Sequence, residues 1–409
     1  MPPDPTPLAP RFSPGVVIAC AAMAVTVAMG VRQSFGLFLT PISMDLDIGR
    51  QTFGLAVAIQ NLLFGLGQPF VGALADEGKA ARLVMIGAFV YAAGLVLTAF
   101  AAGPVMLNLS LGLLVGLAMS ATTFVAVFGP VARAVAPEHR SRALGLVTAG
   151  GSLGQFLVVP AVQAFLSSFG WRTSFVIMAG LVALIALLAL GLRERGAPAV
   201  AAKSSLKDAL REAAGDRSYW LLNAGFFVCG FHIAFVGTHL PAYLRDNNLN
   251  LETGAQALAL IGLFNIFGSY LFGTWGDTWS KKWLLSAIYF ARGITMIVFL
   301  AVPLSETSAL MFAATFGFLW LGTVPLTSGL VTLIYGLRYS STLYGIVFLS
   351  HQIGSFLGAW LAGLAFDVSG SYAAIWAASI VLAALAALIH IPIAERPLRP
   401  APLKPAEAV

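Results

Sequence analysis

A series of apolar stretches, each about 20 residues or longer, constrains the fold more than any other feature of this sequence. A helix of roughly 20 residues crosses the hydrocarbon core of a bilayer. The chain of 409 residues is 59% hydrophobic and only 10% charged, whereas charged residues make up about 25% of a soluble domain. We therefore predict an all-α integral membrane protein with twelve transmembrane helices. The predicted spans are 14–40, 51–74, 82–102, 105–132, 143–167, 172–192, 219–244, 254–275, 283–303, 308–335, 342–366 and 372–393.

The second half of the sequence repeats the first at an offset of about 200 residues. A repeat of six spans gives both halves the same orientation in the membrane, related by an axis along the membrane normal. We predict two pseudo-symmetric six-helix bundles with a substrate site near the midplane at their interface. Matched pairs are Gly30 and Gly230, Pro41 and Pro241, Gly154 and Gly354, and Gly170 and Gly370.

One long polar segment separates the two predicted bundles. It contains six Lys or Arg residues, and Ser204 precedes an amphipathic stretch that predicts a short helix at the membrane surface. The predicted divisions are an N-terminal tail 1–13, a first bundle 14–192, a linker 193–218, a second bundle 219–393 and a C-terminal tail 394–409.

The positive charges are distributed unequally between the two sides of the membrane. Eighteen Lys and Arg residues fall on the side of the linker, whereas Arg50, Arg172 and Arg245 are the three on the other side. Because cytoplasmic loops carry an excess of Lys and Arg, we predict that both termini are cytoplasmic. We expect a multi-pass plasma-membrane protein, in a bacterial inner membrane. Topology accounts for the basic residues, so we expect no nucleic-acid partner.

Two loop motifs resemble those of the major facilitator superfamily. That family carries a Gly, three residues, an Asp and then basic residues between spans 2 and 3, and here the pattern occurs in both halves. The segment 137–142 is also similar to the family's loop before span 5. The resemblance covers the whole chain and implies the major facilitator fold, with a conformational role for the motif residues. These are Gly72 and Asp76 in the first copy, where Glu77 departs from the pattern, and Gly273, Asp277, Lys281 and Lys282 in the second.

A second resemblance concerns the branch of that family that contains monocarboxylate transporters and oxalate/formate exchangers. The segments 32–41 and 67–69 are similar to that branch. Its usual arginine and aspartate in span 8 are replaced here by Ser269 and Asn265, and Gln155 follows Gly154 where the antiporter pattern has a proline. The resemblance therefore implies a transporter and leaves its substrate open.

Arg32 lies inside the first predicted span, where an isolated arginine costs about 2.5–3.5 kcal/mol on insertion scales. Such a charge should face a polar interior or a partner. Because an arginine binds a carboxylate with two parallel hydrogen bonds, Arg32 is our first candidate for a substrate anchor. The alternative is a structural arginine bonded to backbone carbonyls.

Histidines are the titratable candidates for coupling, because no Asp or Glu lies deep in a predicted span. His232 stands at the repeat position of Arg32, and His351 lies in the middle of span 11. Histidine changes its charge near physiological pH and could take up a proton with an anion. The alternative for each is a neutral histidine packed in the bundle. Arg292 in span 9 is either a second functional arginine or a structural one that reaches Asn265 or a carbonyl.

Neutral polar and aromatic residues complete the candidate site. Amides can orient a carboxylate, and aromatic rings can form an apolar wall. Each of them could equally be a contact between helices. The candidates are Gln33, Gln60, Asn61, Gln155, Asn265, Thr323 and Gln352, with Phe124, Phe128 and Trp320 as the wall. Cys20 and Cys229 form no metal pattern, and we expect no cofactor, no metal and no enzymatic activity.

The sequence favours a secondary transporter that carries a small organic anion, first of all a monocarboxylate, by alternating access. A proton is the candidate coupling ion, because its uptake would neutralise the anion. We expect a monomer whose other partner is the lipid bilayer. One alternative is an efflux carrier for drug-like or other small organic compounds, which should contain an acid in its cavity. A membrane sensor on a transporter scaffold is the other.

Overall fold

The computed structural model describes residues 9–136, 139–195, 206–335 and 340–398. Within these residues, eleven helical stretches are long and apolar enough to cross a membrane. One of them, Ala143–Leu192, has 50 residues and contains predicted spans 5 and 6. The all-α membrane fold is therefore confirmed. We keep the span numbers 1 to 12 of the sequence analysis below.

The helices follow one another with short connections. The α-helices are Pro14–Gln33, Leu39–Asp45, Arg50–Leu74, Ala80–Ala99, Pro104–Leu107, Val115–Thr122, Phe124–Ala134, Arg140–Ala183, Ile185–Leu188, Leu206–Gly215, Arg217–Asp246, Leu251–Thr278, Lys281–Ala301, Glu306–Phe318, Thr323–Tyr335, Ser340–Ser369 and Ala373–His390. The 3-10 segments are Phe35–Phe38 and Ala189–Leu192, and the π segments are Ala75–Lys79 and Asn108–Leu114. Two short strands, Ala9–Pro10 and Glu194–Arg195, pair antiparallel.

The helix at Leu206–Gly215 lies within the predicted linker. Its expected cap, Ser204, lies outside the described residues, as do residues 137 and 138 of the predicted loop motif. The division into two bundles at these boundaries stays a prediction. Below, the first half is the described chain before the linker, and the second half is the chain after it.

Glycines make the turns between the last two spans of each half. The backbone angle φ is +74° at Gly170 and +68° at Gly370. Residues with a Cβ atom rarely adopt this left-handed region, so only a glycine turns the chain here without strain. The two positions that the sequence repeat pairs therefore both have a positive φ.

The first and fifth helices of each half pack at very short distance. A Cβ atom on Gly30 would lie 2.7 Å from the carbonyl oxygen of Gly154. In the second half, a Cβ atom on Gly230 or on Gly354 would collide with the backbone of the facing helix. Small residues allow this close approach of helices in a membrane. The repeat thus places the same type of contact between spans 1 and 5 and between spans 7 and 11.

Spans 4 and 10 are interrupted near their centres. Span 4 breaks at Thr123, whose backbone is extended with φ −118° and ψ −160°. Span 10 breaks between Phe318 and Thr323, where one α-helix ends and the next begins. Inside a membrane the backbone groups freed by such a break need partners within the protein. In span 10 these partners are Arg292 and Asn265, described below.

The two halves are joined at the midplane and on the side of the membrane opposite the linker, which we call the far side. Near the midplane, Asn265 donates to the Ser152 hydroxyl at 2.9 Å. On the far side, Arg50 pairs with Asp246. Among the described residues, no hydrogen bond joins the halves at their linker-side ends. The described contacts therefore close the far side.

Candidate substrate site

The guanidinium of Arg32 lies between spans 1 and 2, at the end of the α-helix Pro14–Gln33. Its Nη2 donates to Oδ1 of Asn61 at 2.5 Å, and its Nη1 donates to Oε1 of Gln33 at 3.4 Å. Its Nε is buried without a partner. No carboxylate pairs with Arg32 among the described residues. The guanidinium therefore keeps free donor capacity and an unbalanced positive charge.

An amide chain extends from this arginine across the first half to the second. Gln33 donates from Nε2 to Oε1 of Gln155 at 2.9 Å, and Gln155 donates to the Leu258 carbonyl at 2.9 Å. Gln155 is buried, and Gly262 packs against its side chain. Gln33 and Gln155 therefore lie in one network with Arg32. Gln155 also connects span 5 to span 8.

The second half contributes aromatic and polar groups from span 11. Phe64, whose ring centre lies 5.7 Å from the Arg32 guanidinium carbon, meets Phe348 edge-on at 6.1 Å. His351 stacks on Phe348 with its ring centre at 5.6 Å. Gln352 packs against Gly65, and its Nε2 has no partner. The structure thus brings Gln352 to the face of span 11 that meets span 2, whereas the His351 ring lies against Phe348 and against Phe226 of span 7.

Several predicted candidates lie elsewhere. Gln60 is buried and donates to the Leu111 carbonyl of span 4 at 3.3 Å. His232 is fully buried, and its Nε2 bonds to the Ser379 carbonyl of span 12 at 2.9 Å. His232, the repeat counterpart of Arg32, therefore makes its hydrogen bond toward span 12 and not toward Arg32. Gln60 and His232 are contacts between helices.

The remaining predicted candidates of spans 4 and 10 are also packed within the bundle. Trp320 is buried against Phe316, and Thr323 lies 3.2 Å from the Cys229 sulfur. Phe124 is half-buried, with Phe128 at 5.7 Å and Gly151 facing it. The aromatic ring that contacts Arg32 is instead that of Phe64, which the sequence analysis did not single out.

Arg292 supports the break in span 10. Its Nε and Nη2 donate to the Leu319 carbonyl at 3.1 and 2.7 Å, and Nη2 also donates to the Trp320 carbonyl. Asn265 accepts from the backbone nitrogen of Leu321 at 2.9 Å. Arg292 and Asn265 therefore bind successive groups of the same interrupted turn. The structure places Arg292 among carbonyls, as the structural alternative anticipated.

A cluster on the far side was not foreseen from the sequence. Arg50 binds both carboxylate oxygens of Asp246, at 2.5 and 2.7 Å, and the Tyr372 hydroxyl at 2.9 Å. Asp367 accepts from the first two backbone nitrogens of span 2, at 2.9 and 2.8 Å. His239 completes the cluster through Tyr372, at 3.0 Å. The available signal was that Arg50 is one of three basic residues on this side.

The loop motif of the second half has an unexpected partner. Asp277 is exposed at the end of span 8, while Glu395 accepts from the backbone nitrogen of Lys281 at 2.7 Å. The Lys282 ammonium donates to two carbonyls just after the end of the helix Ala373–His390. Glu395, which follows span 12, therefore caps the start of span 9. A Cβ atom on Gly72 would contact Val125 of span 4, and one on Gly273 would contact Pro325 of span 10. The side chain of Asp76 lies outside the described residues.

A helical membrane protein whose halves enclose a polar site at the midplane belongs to the class of membrane transporters. The sequence profile of the Major Facilitator Superfamily matches residues 20–359. The chain therefore belongs to the Major Facilitator Superfamily. The suspected relationship to this family is confirmed.

Transporters from bacteria and from animals are similar to this chain. The uncharacterized MFS-type transporter YcxA of Bacillus subtilis is 26% identical over 88% of this chain and 90% of its own. Monocarboxylate transporter 13 of Bos taurus is 27% identical over 92% of this chain and 89% of its own. An inward-facing, unoccupied bacterial homologue of the human lysosomal transporter Spinster superimposes with a TM-score of 0.77 at 18% identity, over 93% of this chain and 96% of that one. That superposition shows the fold. The protein is a membrane transporter and not an enzyme, as predicted.

Proposed function

We propose that this transporter carries a small organic anion, first of all a monocarboxylate, by alternating access. The observation that carries the proposal is the guanidinium of Arg32, which has no acidic partner among the described residues and a free buried Nε. A charge removed from water needs a counter-charge or dense hydrogen bonding. A substrate carboxylate would supply both, and it would bind the planar fork at two points.

The site surrounds this cation with neutral donors. Asn61 holds one side of the guanidinium, and Gln352 has a buried Nε2 without a partner. These amides can orient a carboxylate without adding negative charge that would repel it. Several curated relatives are monocarboxylate transporters, which supports the same substrate class.

We propose His351 as the proton carrier of this transport. Its Nδ1 lies 3.2 Å from Oε1 of Gln352, and its Nε2 is free of partners. An imidazole can change its charge between about pH 5 and 8. Protonation would add positive charge in span 11, next to Gln352, and would favour binding of the anion. Movement of proton and anion together then transfers no net charge across the membrane.

We further propose a monomer in a bacterial inner membrane, with the linker and both termini in the cytoplasm. The excess of Lys and Arg on the linker side supports this orientation. In this orientation the far side is extracytoplasmic. The far-side cluster around Arg50 would then close the outer entrance, and the site would open toward the cytoplasm.

Uptake into proteoliposomes tests the proposal. The native chain should take up labelled monocarboxylates in a saturable manner, faster when the vesicle interior is alkaline. Arg32→Gln should reduce this uptake by about 10- to 100-fold, because it removes a charged hydrogen-bond donor pair. Arg245→Gln is the matched control, since Arg245 contacts Met44 on the far side.

Two results would contradict the proposal. One is the absence of saturable carboxylate uptake under any pH gradient. The other is uptake that survives Arg32→Gln at the rate of the control. Saturable binding of an organic cation to both the native chain and Arg32→Gln would instead favour an efflux carrier for other small compounds.

A further inference from the structure

An unbroken series of aromatic rings connects the anion site to span 7. Phe64 meets Phe348 edge-on at 6.1 Å, and the His351 ring stacks on Phe348 within 5° of parallel. The ring centre of Phe226 lies 4.8 Å from that of His351 and 6.0 Å from that of Tyr344. We call Phe64, Phe226, Phe348 and His351 the aromatic wall. The wall begins beside the guanidinium of Arg32, 5.7 Å from the Phe64 ring centre.

Four polar atoms along this wall are buried without a partner in the described chain. These atoms belong to residues of both halves. Two of the residues, Gln352 and His351 in the centre of span 11, are only 1% and 6% exposed. Buried polar groups in proteins are nearly always hydrogen-bonded. Arg32 lies over Phe64, and Gln352 packs against the adjacent Gly65, so a polar ligand at this place would complete both groups. The atoms are Nε of Arg32, Nε2 of His351, Nε2 of Gln352 and the hydroxyl of Tyr344.

Among the described residues, the site provides one permanently charged cation for a ligand, since a histidine is charged only when it is protonated. Arg32 is half-buried and has no acidic partner among the described residues, whereas Arg292 is fully buried and committed to the Leu319 and Trp320 carbonyls. A ligand with two carboxylates would leave one of them without a counter-charge. The ligand that fits is therefore a monoanion.

The chemistry of the wall defines the rest of the ligand. Phe348 is only half-buried, and its ring meets Phe64, the ring that lies next to the charged group of Arg32. Aromatic rings favour edge-to-face and offset-stacked partners over aliphatic groups of the same size. We propose that the site selects aromatic monocarboxylates, with the carboxylate on Arg32 and Asn61 and the ring against Phe64 and Phe348. This inference rests on the proposed function, since it specifies the substrate of the same site.

Equilibrium binding to the purified full-length chain tests the inference with three probes. Benzoate carries both features, cyclohexanecarboxylate replaces the aromatic ring with an aliphatic one, and benzamide removes the charge. Benzoate should bind about two- to tenfold more tightly than cyclohexanecarboxylate, the range expected for an aromatic pair. Benzamide should bind at least about tenfold more weakly than benzoate, because it lacks the charged partner of Arg32.

Substitutions locate the preference. Phe348→Leu should bring the benzoate to cyclohexanecarboxylate ratio close to one while binding of both persists. Phe267→Leu is the matched control, because Phe267 is 54% exposed and meets Phe264 rather than the wall. If Phe348→Leu does not fold, the ratio of benzoate to cyclohexanecarboxylate affinity on the native chain still tests the aromatic preference.

Each outcome separates the two claims. Equal affinities for benzoate and cyclohexanecarboxylate, both lost in Arg32→Gln, would overturn the aromatic preference and leave the anion site in place. An aromatic preference that Phe348→Leu leaves unchanged would overturn the assignment to this wall. Benzamide binding as tightly as benzoate, or no binding of any carboxylate, would overturn the proposed function together with this inference.

Discussion

Arg50 and Asp246 form a two-point ion pair between the start of span 2 and the end of span 7, with nitrogen–oxygen distances of 2.5 and 2.7 Å. The guanidinium carbon of Arg50 also lies 3.7 Å from the centre of the Phe366 ring. The pair joins the first half to the second on the far side. A transporter that opens to the far side must separate these residues, so the pair stabilises the closed far side.

Breaking this pair should shift the chain toward a conformation that is open on the far side. The side chains are 12% and 28% exposed, so the pair is less screened than a surface ion pair. For Asp246→Asn we expect about a fivefold increase in the ratio of far-side-open to closed molecules, equivalent to about 1 kcal/mol. Distances between spin labels at Ala102 and Val302, on far-side loops of the two halves, would measure the ratio.

The double substitution Arg50→Asp with Asp246→Arg is the control for this shift. It restores opposite charges and should recover part of the closed population. Unchanged distances in Asp246→Asn would show that the pair does not hold the far side closed.

Removing Arg292 should destabilise the fold. Arg292→Met leaves the carbonyls of Leu319 and Trp320 without their charged donor at the break in span 10. Hydrogen bonds to charged groups contribute about 1.5–3 kcal/mol, so we expect a loss of about 2–4 kcal/mol and a lower Tm. Thermal unfolding in detergent measures it. A native Tm would contradict the structural role.

The close contact of spans 7 and 11 predicts a difference between two glycines of one helix. A Cβ atom at Gly354 would collide with the backbone of Phe227, whereas nothing lies within 4 Å of one at Gly345. Gly354→Ala should therefore destabilise the protein by about 1–3 kcal/mol, as overpacking does. Gly345→Ala should leave the Tm unchanged or raise it slightly, since alanine favours helices. Equal effects would contradict the packing.

The pH dependence of anion binding should depend on His351 and not on His232. Protonation of the proposed proton carrier would increase the positive charge of the site, so the anion should bind more tightly at lower pH. His351→Gln should flatten this profile. His232→Gln should keep it, because His232 bonds to the Ser379 carbonyl. Anion affinity measured at several pH values for both variants tests this prediction. A pH dependence that only His232→Gln flattens would assign the proton to His232 instead of His351.

The sequence anticipated the fold closely because the membrane limits the choice of structure. Apolar stretches must become helices to satisfy their backbone groups, and the repeat showed which helices are equivalent. Gly170 and Gly370 illustrate this, since the repeat pairs them and both have positive φ. Within the predicted span 14–40, the α-helix Pro14–Gln33 ends just after Arg32 and a 3-10 segment follows.

The site was only partly predictable, because the repeat fixes backbone positions and not side-chain directions. Arg32 and His232 occupy equivalent positions, yet the long guanidinium reaches Asn61 in span 2 while the imidazole bonds to span 12. Contacts between the halves, such as Arg50 with Asp246, depend on how distant helices meet. Sequence spacing carries no information on that arrangement.

The most direct test of the account compares the two intramembrane arginines in one binding measurement. The ligand is the labelled monocarboxylate that the native chain binds most tightly, and the proteins are the native chain, Arg32→Gln and Arg292→Lys. We predict that Arg32→Gln weakens binding by about 10- to 100-fold, while folded Arg292→Lys keeps an affinity within about threefold of native, since Arg292 binds carbonyls. Native affinity in Arg32→Gln, with binding lost in Arg292→Lys, would contradict the account.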